Sequence, residues 1–143
     1  MSAYDENILT GFLNADEAAL TKRFLADGHV IVPVEDMPGL NRLRNAMAGL
    51  AAEHLGLSKP TDAAAFMNNV HRQVTAEQLN ALRLKVIDGV NAQSWTRRVY
   101  FHLARSAIET LVGNELVMQR RLNLSIQLPN DDSSLLAVHA DVW

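Results

Sequence analysis

The sequence contains no cysteine, so disulfide bonds, thiolate metal sites and a cysteine nucleophile are excluded. No apolar run approaches the ~18 residues that a membrane-spanning helix needs. The first residues have no basic segment followed by an apolar one, so no signal peptide is predicted. The chain also lacks a large excess of charge of either sign, since its net charge is −3. It therefore has no strongly basic character that would favour binding to nucleic acid or anionic lipid. These absences favour a cytoplasmic protein that binds neither nucleic acid nor membranes.

What is present is the composition of an ordinary globular protein. The chain has 143 residues, of which 48% are hydrophobic and 20% charged. This length suffices for one domain with one core. We therefore expect a single domain, and the composition leaves the oligomeric state open.

Helical patterns with start and stop signals fill most of residues 1–113. Asn14 and Glu17 form a capping-box pattern that Gly28 closes, and Thr75 and Gln78 form a second one. Apolar residues at helical spacing predict helices that open at Met37, after Thr75 and after Ser94, of which the first ends at Gly56 and the last at Gly113. The last of these carries Trp95, which we assign to the core.

Three stretches have strand-like sequences instead: residues 29–34, 115–128 and 135–141. The alternation is clearest from Leu122 to Leu128, where apolar residues alternate with Asn123, Ser125 and Gln127. The last stretch ends in His139-Ala140-Asp141.

The spacing of His139 and Asp141 matters because residues i and i+2 of a strand point to the same face. An imidazole nitrogen and a carboxylate oxygen side by side are two of the three ligands in the 2-His-1-carboxylate set that holds non-haem Fe(II). The tripeptide alone is weak evidence, because chance gives about 0.3 occurrences in a chain of this composition. Its position at the end of an apparent strand raises its significance.

Residues 122–143, LNLSIQLPNDDSSLLAVHADVW, resemble the first jelly-roll strands of the Fe(II)/2-oxoglutarate-dependent oxygenases. The resemblance is closest to the phytanoyl-CoA-dioxygenase-like branch and to oxygenases of bacterial carbohydrate-biosynthesis clusters. Residues 24–34, FLADGHVIVPV, are similar to the opening of that branch. The helices between these two stretches are generic.

This resemblance implies an α+β fold, in which a helix-rich part (1–113) leads into the first strands of a double-stranded β-helix, or jelly roll (114–143). The chain would be a single incomplete domain, truncated after the His-x-Asp strand. His139 and Asp141 would bind Fe(II), and Asn123, Ser125 and Gln127 would face the cofactor pocket.

The same resemblance implies the N-terminal part of a dioxygenase that uses 2-oxoglutarate as co-substrate. Its substrate would be a small biosynthetic intermediate such as a sugar or nucleotide sugar. In the family a second histidine ligand and an arginine that binds 2-oxoglutarate lie downstream, so the 143 residues alone are expected to be inactive.

An interpretation from another class remains open, namely a non-catalytic helical interaction module. It accounts for the amphipathic helices and treats the last 22 residues as coincidence. Separately, Asn123, Ser125 and Gln127 could form the solvent side of an edge strand, which is the commoner outcome of such alternation.

Overall fold

The computed structural model describes residues 12–113 and 116–126, and the regular structure in them is helical. The elements are α1 (Ala15–Asp27), α2 (Met37–His54), α3 (Ala63–Asn69), a 3-10 turn (Val70–Arg72), α4 (Ala76–Asn91), α5 (Thr96–His102) and α6 (Arg105–Val112). The chain divides into two compact units, the first built from Met1–Leu40 and Arg98–Gln119 and the second from Asn41–Arg97 and Arg120–Trp143. The expectation of one incomplete domain stays a prediction.

The predicted fold class is wrong for the part of the chain that the structure describes. Neither residues 29–34 nor residues 116–126 form a strand, so this part contains no opening of a jelly roll. A strand needs a partner for its peptide groups. Pro33 has no N–H to donate to a neighbouring strand. Ile31, two residues earlier, is 87% exposed, so its side chain is not packed against a sheet or core. The predicted strand at residues 135–141 lies outside the described residues.

Helix α1 begins and ends where local signals predict. The Asn14 side-chain oxygen accepts hydrogen bonds from the N–H groups of Asp16 and Glu17, both at 3.0 Å. The Glu17 carboxylate accepts the Asn14 N–H at 2.8 Å, which completes the capping box. Gly28 ends the helix with φ of 73°, a conformation that glycine adopts without strain.

The second unit holds the core. The apolar stripe predicted for α4 is buried along its length, at Leu79, Leu82, Val86 and Val90. Helix α2 approaches α4 closely at Gly89. A Cβ atom added there would lie only 2.6 Å from a Leu50 methyl carbon.

All the buried apolar residues that the structure describes belong to this second unit. In the first unit, α1 and α6 pack against each other, but neither helix has a buried residue. The hydrophobic contribution to folding is therefore concentrated in one of the two units.

The long helix predicted to run from Ser94 to Gly113 is wrong, since it is broken into α5 and α6. In a continuous helix the Leu103 carbonyl would accept the Ala107 N–H. Instead the Leu103 carbonyl accepts the Glu35 N–H at 2.9 Å, and the Ala107 N–H donates to the Glu35 carboxylate at 3.2 Å. Glu35 thus bonds to both the carbonyl and the N–H that would have bonded to each other in a continuous helix.

No helix among the described residues is long and apolar enough to cross a lipid bilayer.

Candidate functional site

Residues 120–126, here called the docked segment, lie against α4 and are held by a side-chain amide. The Asn91 oxygen accepts the Leu122 N–H at 2.8 Å, and the Asn91 nitrogen donates to the Leu122 carbonyl, also at 2.8 Å. The same nitrogen donates to the Ile87 carbonyl at 2.7 Å, which fixes the amide on the helix. Asn91 therefore pairs with the Leu122 N–H and carbonyl in the way a neighbouring strand would.

Burial alternates along the docked segment as the sequence predicts, although no strand forms. Leu122 is 6% exposed, Leu124 and Ile126 are half-buried, and Asn123 and Ser125 between them are exposed. Alternating burial is typical of an extended backbone on an apolar surface. The period of the pattern was correct, but its partner is a helix.

Of the residues predicted to bind iron and cofactor, Asn123 and Ser125 lie within the described structure. His139, Asp141 and Gln127 lie outside the described residues, and their roles stay predictions. Asn123 and Ser125 are exposed. Within residues 12–113 and 116–126 no group of three His, Asp or Glu side chains is placed to hold a metal ion.

A cleft of about 480 Å³ opens in the second unit, along one face of α2. The face comprises Asn45, Ala46, Gly49, Leu50 and Glu53, which recur over two turns of the helix. Its volume lies in the range of small-molecule sites.

Gly49 stands in the middle of this face without an evident structural reason. Its φ is not positive, and a Cβ atom added to it would meet nothing within 4 Å. Glycine in a helix interior costs about 1 kcal/mol relative to alanine. By contrast, Gly39 and Gly89 are explained by close neighbours and Gly28 by its positive φ. Gly49 lies on the helical face that lines the cleft, so a larger side chain there would project into it.

The other side of the cleft is formed by Leu57, Lys59, Gln93 and Trp95. Trp95 is half-buried, and the Arg42 guanidinium lies 4.1 Å from the centre of its ring. This cation–π contact holds the indole in place. The sequence assigned Trp95 to the core, whereas it forms part of a wall of the cleft.

Four polar side chains line the cleft: Asn45, Glu53, Lys59 and Gln93. Glu53 and Lys59 make no salt bridge to each other or to any other described residue, and neither amide makes a side-chain hydrogen bond among the described residues. Their donors and acceptors are therefore free to meet a ligand, and their charges cancel.

The Glu35 carboxylate lies against the start of α6, where it accepts hydrogen bonds from Ser106 and Ala107. Desolvation alone would raise its pKa, but hydrogen bonds from the Ser106 N–H and hydroxyl and from the Ala107 N–H, together with the charge of Arg105, outweigh this and lower the pKa below its ordinary value of 4.5. Glu35 therefore stays ionised and acts as a cap for the helix.

The comparisons with known proteins give no relative to set beside this geometry, because no family model, curated protein or solved structure matches the chain. The sequence reasoning missed the cleft. A glycine within an otherwise regular helical pattern was the signal that could have revealed it.

Proposed function

We propose that the chain belongs to a non-haem Fe(II)/2-oxoglutarate-dependent dioxygenase, with His139 and Asp141 as two of the protein ligands to iron. The observation that carries the proposal is the His-x-Asp pair at the end of the 22-residue stretch that resembles this family. The proposal concerns the ligands and the chemistry, and it implies no jelly roll in the described residues.

The donor set fits the metal. An imidazole nitrogen and a carboxylate oxygen are the ligands that Fe(II) takes in the facial triad of this enzyme class. By the resemblance, the third ligand and the arginine for 2-oxoglutarate lie downstream of Trp143. Bound iron would supply oxygen activation and C–H oxidation of a small biosynthetic intermediate, with 2-oxoglutarate converted to succinate and CO2. A cytoplasmic location is part of the proposal, since that compartment is reducing.

The described residues bear on one part of this proposal, namely where the segment that precedes the two ligands is attached. Asn91 holds Leu122 at the start of the stretch, and Arg121 forms an ion pair with Asp88 on the same helix. Leu122 is thereby fixed on α4, and the stretch that carries His139 starts from a defined place.

The test uses Co(II), whose visible spectrum reports nitrogen and carboxylate ligation, as a stable substitute for Fe(II). We expect the 143-residue chain to bind Co(II) weakly, and His139→Ala or Asp141→Ala to weaken binding about tenfold or more. His54→Ala, which changes an exposed histidine at the end of α2, is the matched control and should bind as the unaltered chain does.

In a longer protein that includes the downstream histidine, the same two substitutions should abolish succinate formation from 2-oxoglutarate while leaving thermal unfolding unchanged. Equal Co(II) affinity in the unaltered, His139→Ala and His54→Ala chains would show that the iron-ligand assignment is wrong.

A second candidate is a helical binding module without catalysis, and the cleft beside Gly49 favours it. The two candidates are separable by mutation, because His139→Ala should leave a ligand of the cleft bound, whereas a substitution at Gly49 should leave Co(II) bound.

A further inference from the structure

The cleft along α2 presents a combination of features that the iron proposal does not use. Its volume is about 480 Å³, a glycine lies on its helical face, and Trp95 forms part of the opposite wall. An unexplained glycine inside a helix lowers stability by about 1 kcal/mol. A ligand that needs the space above Gly49 would explain why no side chain fills it.

The polar groups of the cleft restrict the class of ligand. A wholly apolar molecule would leave Asn45, Gln93 and the two charged side chains without partners, which costs free energy when water is displaced. A phosphate or other multiply charged ligand would find no matching net charge, because Glu53 and Lys59 cancel each other. The ligand that fits is neutral and rich in hydrogen-bonding groups.

The indole adds a further requirement, which is an apolar surface on the same ligand. The Arg42 guanidinium packs against the Trp95 ring, which favours this orientation of the indole before any ligand arrives. A sugar ring offers both features, since its C–H groups pack against an aromatic ring and its hydroxyls each donate and accept hydrogen bonds. The amides of Asn45 and Gln93 likewise donate and accept.

We infer that this cleft is a carbohydrate-binding site, which takes a neutral pyranose ring between the Gly49 face of α2 and Trp95. The inference rests on the cleft alone, so it stands or falls separately from the iron site.

The test is a titration of the ¹⁵N-labelled 143-residue chain followed by NMR. The probes are methyl α-D-glucopyranoside, N-acetylglucosamine and maltose, with glycylglycine as a zwitterionic control and nicotinamide as a flat aromatic control. We expect at least one saccharide to shift the Gly49 amide and the Trp95 indole N–H with saturation, and both controls to shift neither.

Two substitutions at one position make the test specific. Gly49→Leu projects a side chain into the cleft and should weaken saccharide binding about tenfold or more, a change of about 1.4 kcal/mol. Gly49→Ala adds a single methyl group to the same face and should weaken binding by a smaller factor than Gly49→Leu. Thermal unfolding of both variants shows whether each is folded. Gln93→Ala, which removes one amide from the opposite side, should also weaken binding.

Three results would overturn the inference. The first is no saturable shift with any of the saccharides. The second is an equal response to glycylglycine or nicotinamide, which would assign the cleft to another ligand class. The third is unchanged saccharide binding in Gly49→Leu, which would place the site elsewhere. None of these results bears on Co(II) binding by His139.

Discussion

Replacing Asn91 by alanine tests how the docked segment is held. The substitution removes two hydrogen bonds to Leu122, whose N–H and carbonyl each bond to the Asn91 side chain at 2.8 Å. If Leu122 stayed in place, each unpaired buried group would cost about 1–3 kcal/mol. If the segment instead detached, water would satisfy both groups and the loss would be at least the burial of Leu122, about 1.5–3 kcal/mol.

The response that costs less free energy will be the one observed. We therefore expect the segment to detach and the free energy of unfolding to fall by about 2 kcal/mol. With a typical urea dependence of about 2 kcal/mol per molar, the midpoint of urea unfolding should fall by about 1 M. Hydrogen exchange distinguishes the two routes. Detachment should bring the Leu122 amide to the exchange rate of an unstructured peptide, whereas an unpaired but still buried N–H would exchange more slowly, and on either route the amides of α4 should stay protected.

Asn80→Ala is the matched control, because Asn80 lies on the same helix, is exposed and only accepts a hydrogen bond from Arg83. A change within about 0.5 kcal/mol is expected there. The reasoning is refuted if Asn91→Ala and Asn80→Ala unfold at the same urea concentration and the Leu122 amide keeps its protection.

Two further predictions concern stability. Since the pKa of Glu35 is lowered in the folded protein, its bonds to α6 stabilise the fold above about pH 4.5 and are lost as pH falls through the folded pKa. Glu35→Gln should flatten unfolding temperature against pH in that window, and an unchanged profile would refute the capping role. Gly49→Ala should stabilise by about 1 kcal/mol, whereas Gly89→Ala should gain nothing or lose about 1 kcal/mol, because its methyl would meet Leu50. Equal stabilisation in urea unfolding would contradict the packing of α2 on α4.

The features that the sequence predicted correctly are those decided by neighbouring residues. The capping box joins Asn14 and Glu17, which are three positions apart, and the buried stripe of α4 follows from the helical period alone. Both depend on interactions within one helix, so a single stretch of sequence contains the information they need.

The features that the sequence missed depend on residues far apart in the chain. The break between α5 and α6 requires Glu35, which lies 71 positions before Ser106. The docked segment requires Asn91, which lies 31 positions before Leu122. Alternation from residue 122 onward indicated an apolar surface as partner, but it could not say whether that surface belonged to a strand or to a helix.

The two candidate sites differ in how far they could be recognised from the sequence. The His-x-Asp pair was recognisable from its spacing and its resemblance, and its geometry stays a prediction. The cleft was not recognisable, because its opposite sides come from α2 and from residues near Gln93. The role of Gly49 becomes evident only when the space around it is known.

The unequal distribution of buried residues has a consequence for how the molecule opens. Since α1 and α6 have no buried residue while α4 has five, local opening should release α1 and α6 at a lower free energy than the helices around Leu82. A protease at low concentration would then cleave within α1 or α6 first and leave a resistant product that contains α2 to α4. The cleft would survive in that product, on the helices that unfold last, whereas a cut within α6 would separate the docked segment from those helices in the chain.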